Sequence, residues 1–123
     1  MINTSKTSRF RTVNKQANVT ATEVTLYTCP ANCRAVVSLL FVSNVSSGNA
    51  TVDIEFNRND TTSNAAHMHI LGSKNMATGD YIQFSDGFIV LEPSDTLTFT
   101  ATGTGTIHVD AMATVEEFFI SVS

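Results

Sequence analysis

From residue 22 onward apolar and polar residues alternate with a period of two, the pattern of half-buried strands. TVDIEFNR, residues 51–58, sets Val52, Ile54 and Phe56 on one face and Asp53, Glu55 and Asn57 on the other. TLTFTAT, 96–102, turns Leu97, Phe99 and Ala101 inward and its threonines outward. TIHVDAMATVEE, 106–117, alternates Ile107, Val109, Ala111, Ala113 and Val115 against His108, Asp110, Met112 and Thr114. Val24 and Leu26 share one face of an earlier strand, and Met68 and Ile70 one face of another. RAVVSLLFVSNV, 34–45, is apolar on both faces over Ala35–Val42, so its strand is central or covered on both sides. No segment carries a 3.6-residue period.

Turn signals separate these runs. Pro30 and Asn32 suit a tight turn, and SSGN (46–49), NDTTSN (59–64), EPSD (92–95) and Gly103-Thr104-Gly105 follow the same logic. GSKNMATGD, 72–80, reads as a loop ending in a Gly79-Asp80 turn. Ser85-Asp86-Gly87 between YIQF and FIVLE is a hairpin signal. The spacing predicts an all-β, antiparallel β-sandwich of about eight strands, in jelly-roll or immunoglobulin-like order. Residues 1–20 are polar with isolated Ile2, Phe10, Val13 and Val19. They are expected to form an extended N-terminal arm, with residues 21–123 as the sandwich domain.

Composition narrows the partners. The chain of 123 residues is 42% hydrophobic but only 15% charged, against about a quarter in ordinary domains. A net charge of −4 speaks against nucleic acid, which needs clustered cations. The early cations Lys6, Arg9, Arg11 and Lys15 make a mildly basic arm only. No apolar run reaches the length of a membrane span. MINTSKTSRFRTVNKQ lacks the apolar stretch of a signal peptide, which points to folding in a reducing cytoplasm.

Candidate chemistry is sparse. Cys29 and Cys33 flank the Pro30 turn. A zinc site needs two more ligands, and a redox pair needs CxxC at a helix start. A disulfide across the turn is geometrically open but disfavoured in a reducing compartment, so reduced, partly buried thiols are the leading reading. His67 with His69, and His108 with Asp110, each put two ligand types on one strand face. They would make a metal site only if their strands were neighbours or symmetry copies converged. Outward polar faces explain them more simply. Asp53/Glu55 and Glu116/Glu117 read as solvated positions. There is no GxSxG elbow and no phosphate loop. The expectation is a protein that is not an enzyme, with no catalytic residue, metal or cofactor.

LYTCPANCRAVVSLLFVSNVSSGNATVDIEF, with FIVLEPSDTLTF further on, resembles small β-sandwich virion proteins of tailed bacteriophages. In that pattern a strand of the type LYTxPANxR leads into a long apolar strand and a short N-x-S/T turn, and a turn-plus-strand of the type xVLxxGDTLxx comes later. Here Ser94-Asp95 replaces the usual Gly-Asp, and the two cysteines stand where other small residues would do. The likeness implies a structural protein of the virion, assembled in the host cytoplasm. It would act as a capsid decoration or cement protein on the major capsid protein or other virion proteins. A tail, neck or fibre-attachment component is the alternative. A carbohydrate-binding sandwich ranks lower, because it would want exposed aromatics. The tail FFISVS is too apolar to trail in water. Arg9, Phe10, Arg11, Phe118, Phe119 and Ile120 are therefore the candidate partner-binding residues, and low charge favours self-association, with a homotrimer expected.

Overall fold

Alternation within one strand decides which residues face a core. The computed structural model, which describes residues 7–59 and 67–120 (86–88 by their backbone only), contains eight strands among them. They are β1 (Ser8–Ala17), β2 (Val24–Thr28), β3 (Cys33–Asn44), β4 (Ala50–Asn57), β5 (His67–Met76), β6 (Tyr81–Leu91), β7 (Thr96–Thr102) and β8 (Val109–Phe119). Two four-stranded sheets pack face to face, ordered β1-β8-β3-β6 and β2-β7-β4-β5. All described ladders are antiparallel. β1 pairs with β8, β2 with β7, β3 with β6 and β4 with β5. That is one long hairpin rolled up on itself, a jelly roll, and it decides between the two orders left open.

The core lies between the sheets and follows the alternation closely. Val52, Ile54, Leu97, Phe99, Ala101, Ile107, Val109, Ala111, Ala113 and Val115 are all buried. Phe56 is only half-buried and packs against the core from its edge. In β3 the inward residues Ala35, Val37, Leu40 and Val42 are buried, and a register shift between Val37 and Leu39 changes the parity. Its other face, with Val36, Leu39 and Phe41, is half-buried on the outside of the first sheet.

Three expectations change. Within the stretch expected as an arm, Ser8–Ala17 is β1, paired with β8 over ten residues as the edge of the first sheet. Its inward positions are Arg9, Arg11, Val13, Lys15 and Ala17, too polar for the alternation to register. Ser85-Asp86-Gly87 is not a hairpin: β6 runs through it. The extra residues sit in an irregularity opposite β3, where Val37 pairs with Ile89 and Leu39 with Ser85, so a bulge absorbs the turn signal. The loop expected from Gly72 is mostly strand, because β5 continues to Met76. Its end is a turn at Ala77–Asp80, closed by Asp80 N–H to Ala77 C=O at 3.0 Å, with Gly79 at φ +88°. Residues 60–64 of the expected loop, Ile2, Lys6 and Val122 lie outside the described residues.

Candidate functional site

The inward series of β8 does not stop at Val115. Two positions on, Glu117 keeps the same parity and is fully buried, which corrects its reading as a solvated position. Glu116 on the opposite face is half-buried and accepts a hydrogen bond from Ser8 Oγ at 2.9 Å. A lone buried carboxylate is costly, and here it is fully partnered. Arg9, its cross-strand neighbour on β1, donates from Nε at 2.6 Å. Arg11 donates from Nη1 at 3.1 Å. Tyr27 reaches over from the second sheet and donates its hydroxyl at 2.5 Å. The β2 bulge between Thr25 and Tyr27 makes this possible, because it turns both Leu26 and Tyr27 into the core.

The electrostatics follow from that geometry. Burial alone would raise the Glu117 pKa, but hydrogen bonds from Tyr27 and Arg9 and the charges of Arg11 and Arg9 outweigh it, so it is lowered. Burial, and then the Glu117 carboxylate, push the Tyr27 phenol up. The hydrogen bond to Glu117 raises Arg9. Nearby, Cys29 and Cys33 are free and buried. Burial pushes the Cys29 thiol up to about 11 and raises Cys33 also, so both are poor nucleophiles at neutral pH.

The six candidate partner-binding residues lie at this same end of the first sheet, Phe10 and Phe118 on its outer face and Arg9, Arg11 and Phe119 on the Glu117 side. The Arg9 guanidinium lies over the Phe119 ring, 5.3 Å from its centroid. Phe119 N–H bonds Thr7 C=O at 3.0 Å and Ile120 N–H bonds Asn32 C=O at 2.9 Å, so β8 is tied on both sides to its end. Phe10 is 70% exposed, and Phe118, Phe119 and Ile120 are between 37% and 39% exposed. Strand register aligns Phe10, Glu116, Val36 and Val90 in one row across the outer face. Val36 and Val90 extend the apolar surface and were not among the sequence candidates, although the two-faced apolar run of β3 was their signal. For Glu117 the signal was its place in the β8 alternation. Around the corner, between β1 and β2, Arg11, Val13, Lys15, Thr25 and Thr28 line a groove of about 340 Å³.

The two histidine-containing pairs lie apart. His67 and His69 flank Glu55 on the second sheet, with His69 Nε2 3.4 Å from its carboxylate. His108 pairs with Asp110 at 3.0 Å on the first sheet. The two pairs sit on different sheets, and among the described residues no group of three or more His, Cys, Asp and Glu is placed to hold a metal.

Comparison with known proteins places the fold. No protein-family model matches the chain, and no curated protein matches it. Among solved structures it is similar to a chain of the disulfide-linked pili of Bacillus endospore appendages, at 19% identity and TM-score 0.54, covering 98% of this chain and 96% of that one. It is also similar to VP2 of the infectious bursal disease virus subviral particle, at 13% identity and TM-score 0.56, covering 96% of this chain and 34% of that one. The chain thus spans about a third of VP2. A chain of the capsid of Helicobacter pylori bacteriophage KHP30 is more distantly similar, at 12% identity and TM-score 0.39, covering 94% of this chain and 96% of that one. The likeness to the pilus chain and to VP2 is one of fold, an antiparallel β-sandwich.

Proposed function

We propose that this chain is a non-enzymatic structural protein of a bacteriophage particle, attached to the capsid surface as a decoration or cement protein. One observation carries the reading: the exposed apolar end of the first sheet, where Phe10, Phe118, Phe119 and Ile120 gather beside Arg9 and Arg11. Exposed apolar side chains gathered at one sheet end beside charged ones are what a protein contact uses. The fold supports it, since VP2 of a virus particle has the same sandwich. In this reading Phe10 and Phe118 anchor the contact, and Arg9 and Arg11 meet an acidic surface, so attachment weakens with salt. The protein acts as a homotrimer.

The test uses shells of the parent phage stripped of this protein. The purified chain should rebind them, and Phe10→Ser with Phe118→Ser should abolish rebinding while circular dichroism stays unchanged. Retained binding would refute the docking end. Cryo-electron microscopy of the intact particle separates the capsid position from the tail or neck alternative. Light scattering reads the trimer directly, and a strict monomer at high concentration would remove it.

The pilus-like match supports a second reading, a subunit of a self-assembling filament. Disulfide links between copies have no thiol to use here, because the chain has two cysteines and both are buried. A filament would have to assemble through non-covalent contacts, and electron microscopy of the concentrated protein would reveal it.

A further inference from the structure

The outer face of the first sheet carries another feature, away from the Phe10–Phe118 end. Register sets two rows across its four strands: Asn14, Met112, Phe41 and Gln83, then Gln16, Asp110, Ser43 and Tyr81. Above β8 they leave a shallow groove of about 370 Å³, walled by Asn14 and Gln16 on β1 and by Phe41 and Ser43 on β3. The Phe41 and Tyr81 rings stack, with centroids 5.4 Å apart and planes at 23°. β6 lies on the far side of β3 from β8. Tyr81 therefore backs one face of Phe41 and leaves the other toward the groove. Asp110 is held through Oδ1 by His108 Nε2 at 3.0 Å. Among the described residues, its Oδ2 and the side-chain amides of Asn14 and Gln16 make no hydrogen bond.

We propose that this groove binds a neutral sugar ring. An aromatic wall facing amides and a carboxylate matches a pyranose, which offers a C–H face to the ring and hydroxyls that both donate and accept. Other occupants fit less well. An apolar strand would cover Asn14, Gln16 and Asp110 without pairing them, which is costly. A nucleotide would bring phosphate beside Asp110 on a chain of net charge −4, and among the described lining residues only Lys15, which sits on the opposite face of β1, is cationic. A saccharide satisfies both the ring and the polar groups. The site stands on its own geometry and does not depend on the particle reading.

The experiment is nitrogen-15 NMR titration of the full chain with a panel of neutral saccharides: glucose, galactose, N-acetylglucosamine and their β1,4-linked dimers. Adenosine monophosphate and a capped Val-Thr-Val-Thr-Val peptide run in parallel. At least one saccharide should produce saturable shifts at millimolar concentration, confined to β1, β8 and β3 around Gln16, Asp110 and Phe41. Combining Asn14→Ala with Gln16→Ala should weaken binding about tenfold, the loss of about one net hydrogen bond. Both residues are exposed, so the thermal midpoint should not move. Phe41→Ala should weaken binding further, and its fold is checked separately because Phe41 is half-buried. Absence of shifts with every saccharide, or binding that survives the double variant, overturns the proposal. So does tighter binding of the nucleotide or the peptide. None of these results bears on whether Phe10 and Phe118 dock on a capsid.

Discussion

Asn44 and Glu117 are both fully buried, at opposite ends of the β3–β8 ladder. Asn44 is satisfied by backbone. Its Nδ2 donates to Gly48 C=O at 3.0 Å and Met76 C=O at 2.9 Å, and its Oδ1 accepts from Ser46 N–H at 2.9 Å. Glu117 is satisfied by side chains that lie 90 or more residues away in sequence. The neutral end pins two turns with groups that no pH change alters. The charged end ties an edge strand and a second sheet to one carboxylate, and it works only while that carboxylate is ionised. One end is built to be permanent; the other is conditional, and it lies directly beneath the proposed docking residues.

Breaking the charged end should have the largest effect. Glu117→Ala strands the Tyr27 hydroxyl in the core and removes the anchor of two arginines. The expected loss is about 3–4 kcal/mol in urea unfolding, toward the lower end because Arg9 and Arg11 are half-exposed and can hydrate. Breaking the neutral end with Asn44→Ala orphans two carbonyls and one N–H, for an expected loss of about 2–3 kcal/mol. Tyr27→Phe removes one hydrogen bond to a charged acceptor and should cost about 2 kcal/mol.

Acid sharpens the contrast. The folded pKa of Glu117 lies below its unfolded value, so its stabilising contribution is complete above the ordinary carboxylate range. It fades as pH falls through the depressed folded value. The stability gap between the native protein and Glu117→Gln should therefore shrink on acidification, while the gap for Asn44→Ala should stay constant. Parallel pH dependence of the two variants would show that the Glu117 pKa is the same in the folded and unfolded chains. The smallest effect belongs to Arg34→Gln. The Arg34–Glu92 pair, at 2.9 Å, is half-exposed on both sides, so its loss should cost less than about 0.5 kcal/mol.

Where an element's signal was contained in its own residues, it was legible. β4, β7 and β8 alternate apolar with polar residues in sequence, and Val52, Ile54, Leu97, Phe99, Val109, Ala111, Ala113 and Val115 are core, although Thr98, expected outward, is buried as well. The candidate docking residues were legible in part. Phe118, Phe119 and Ile120 stood out as apolar residues at a chain end, but nothing local showed that Arg9 and Phe10 lie beside them. Bulges hid other features. The one in β2 turns Leu26 and Tyr27 the same way against the alternation, and the one in β6 absorbs a turn signal into a continuous strand.

The sequence by itself determined that this is an antiparallel sandwich, and it determined which face of most strands is buried. The pleat alone dictates that alternation, within each strand and without reference to a partner. Only the tertiary structure decided the order of the strands, because jelly-roll and immunoglobulin-like chains use the same hairpin signals and differ in which distant strands pair. It alone made Ser8–Ala17 a strand. The inward side of that segment is mostly arginine and lysine, and Glu117, more than a hundred residues later, supplies the opposite charge to Arg9 and Arg11 across the ladder.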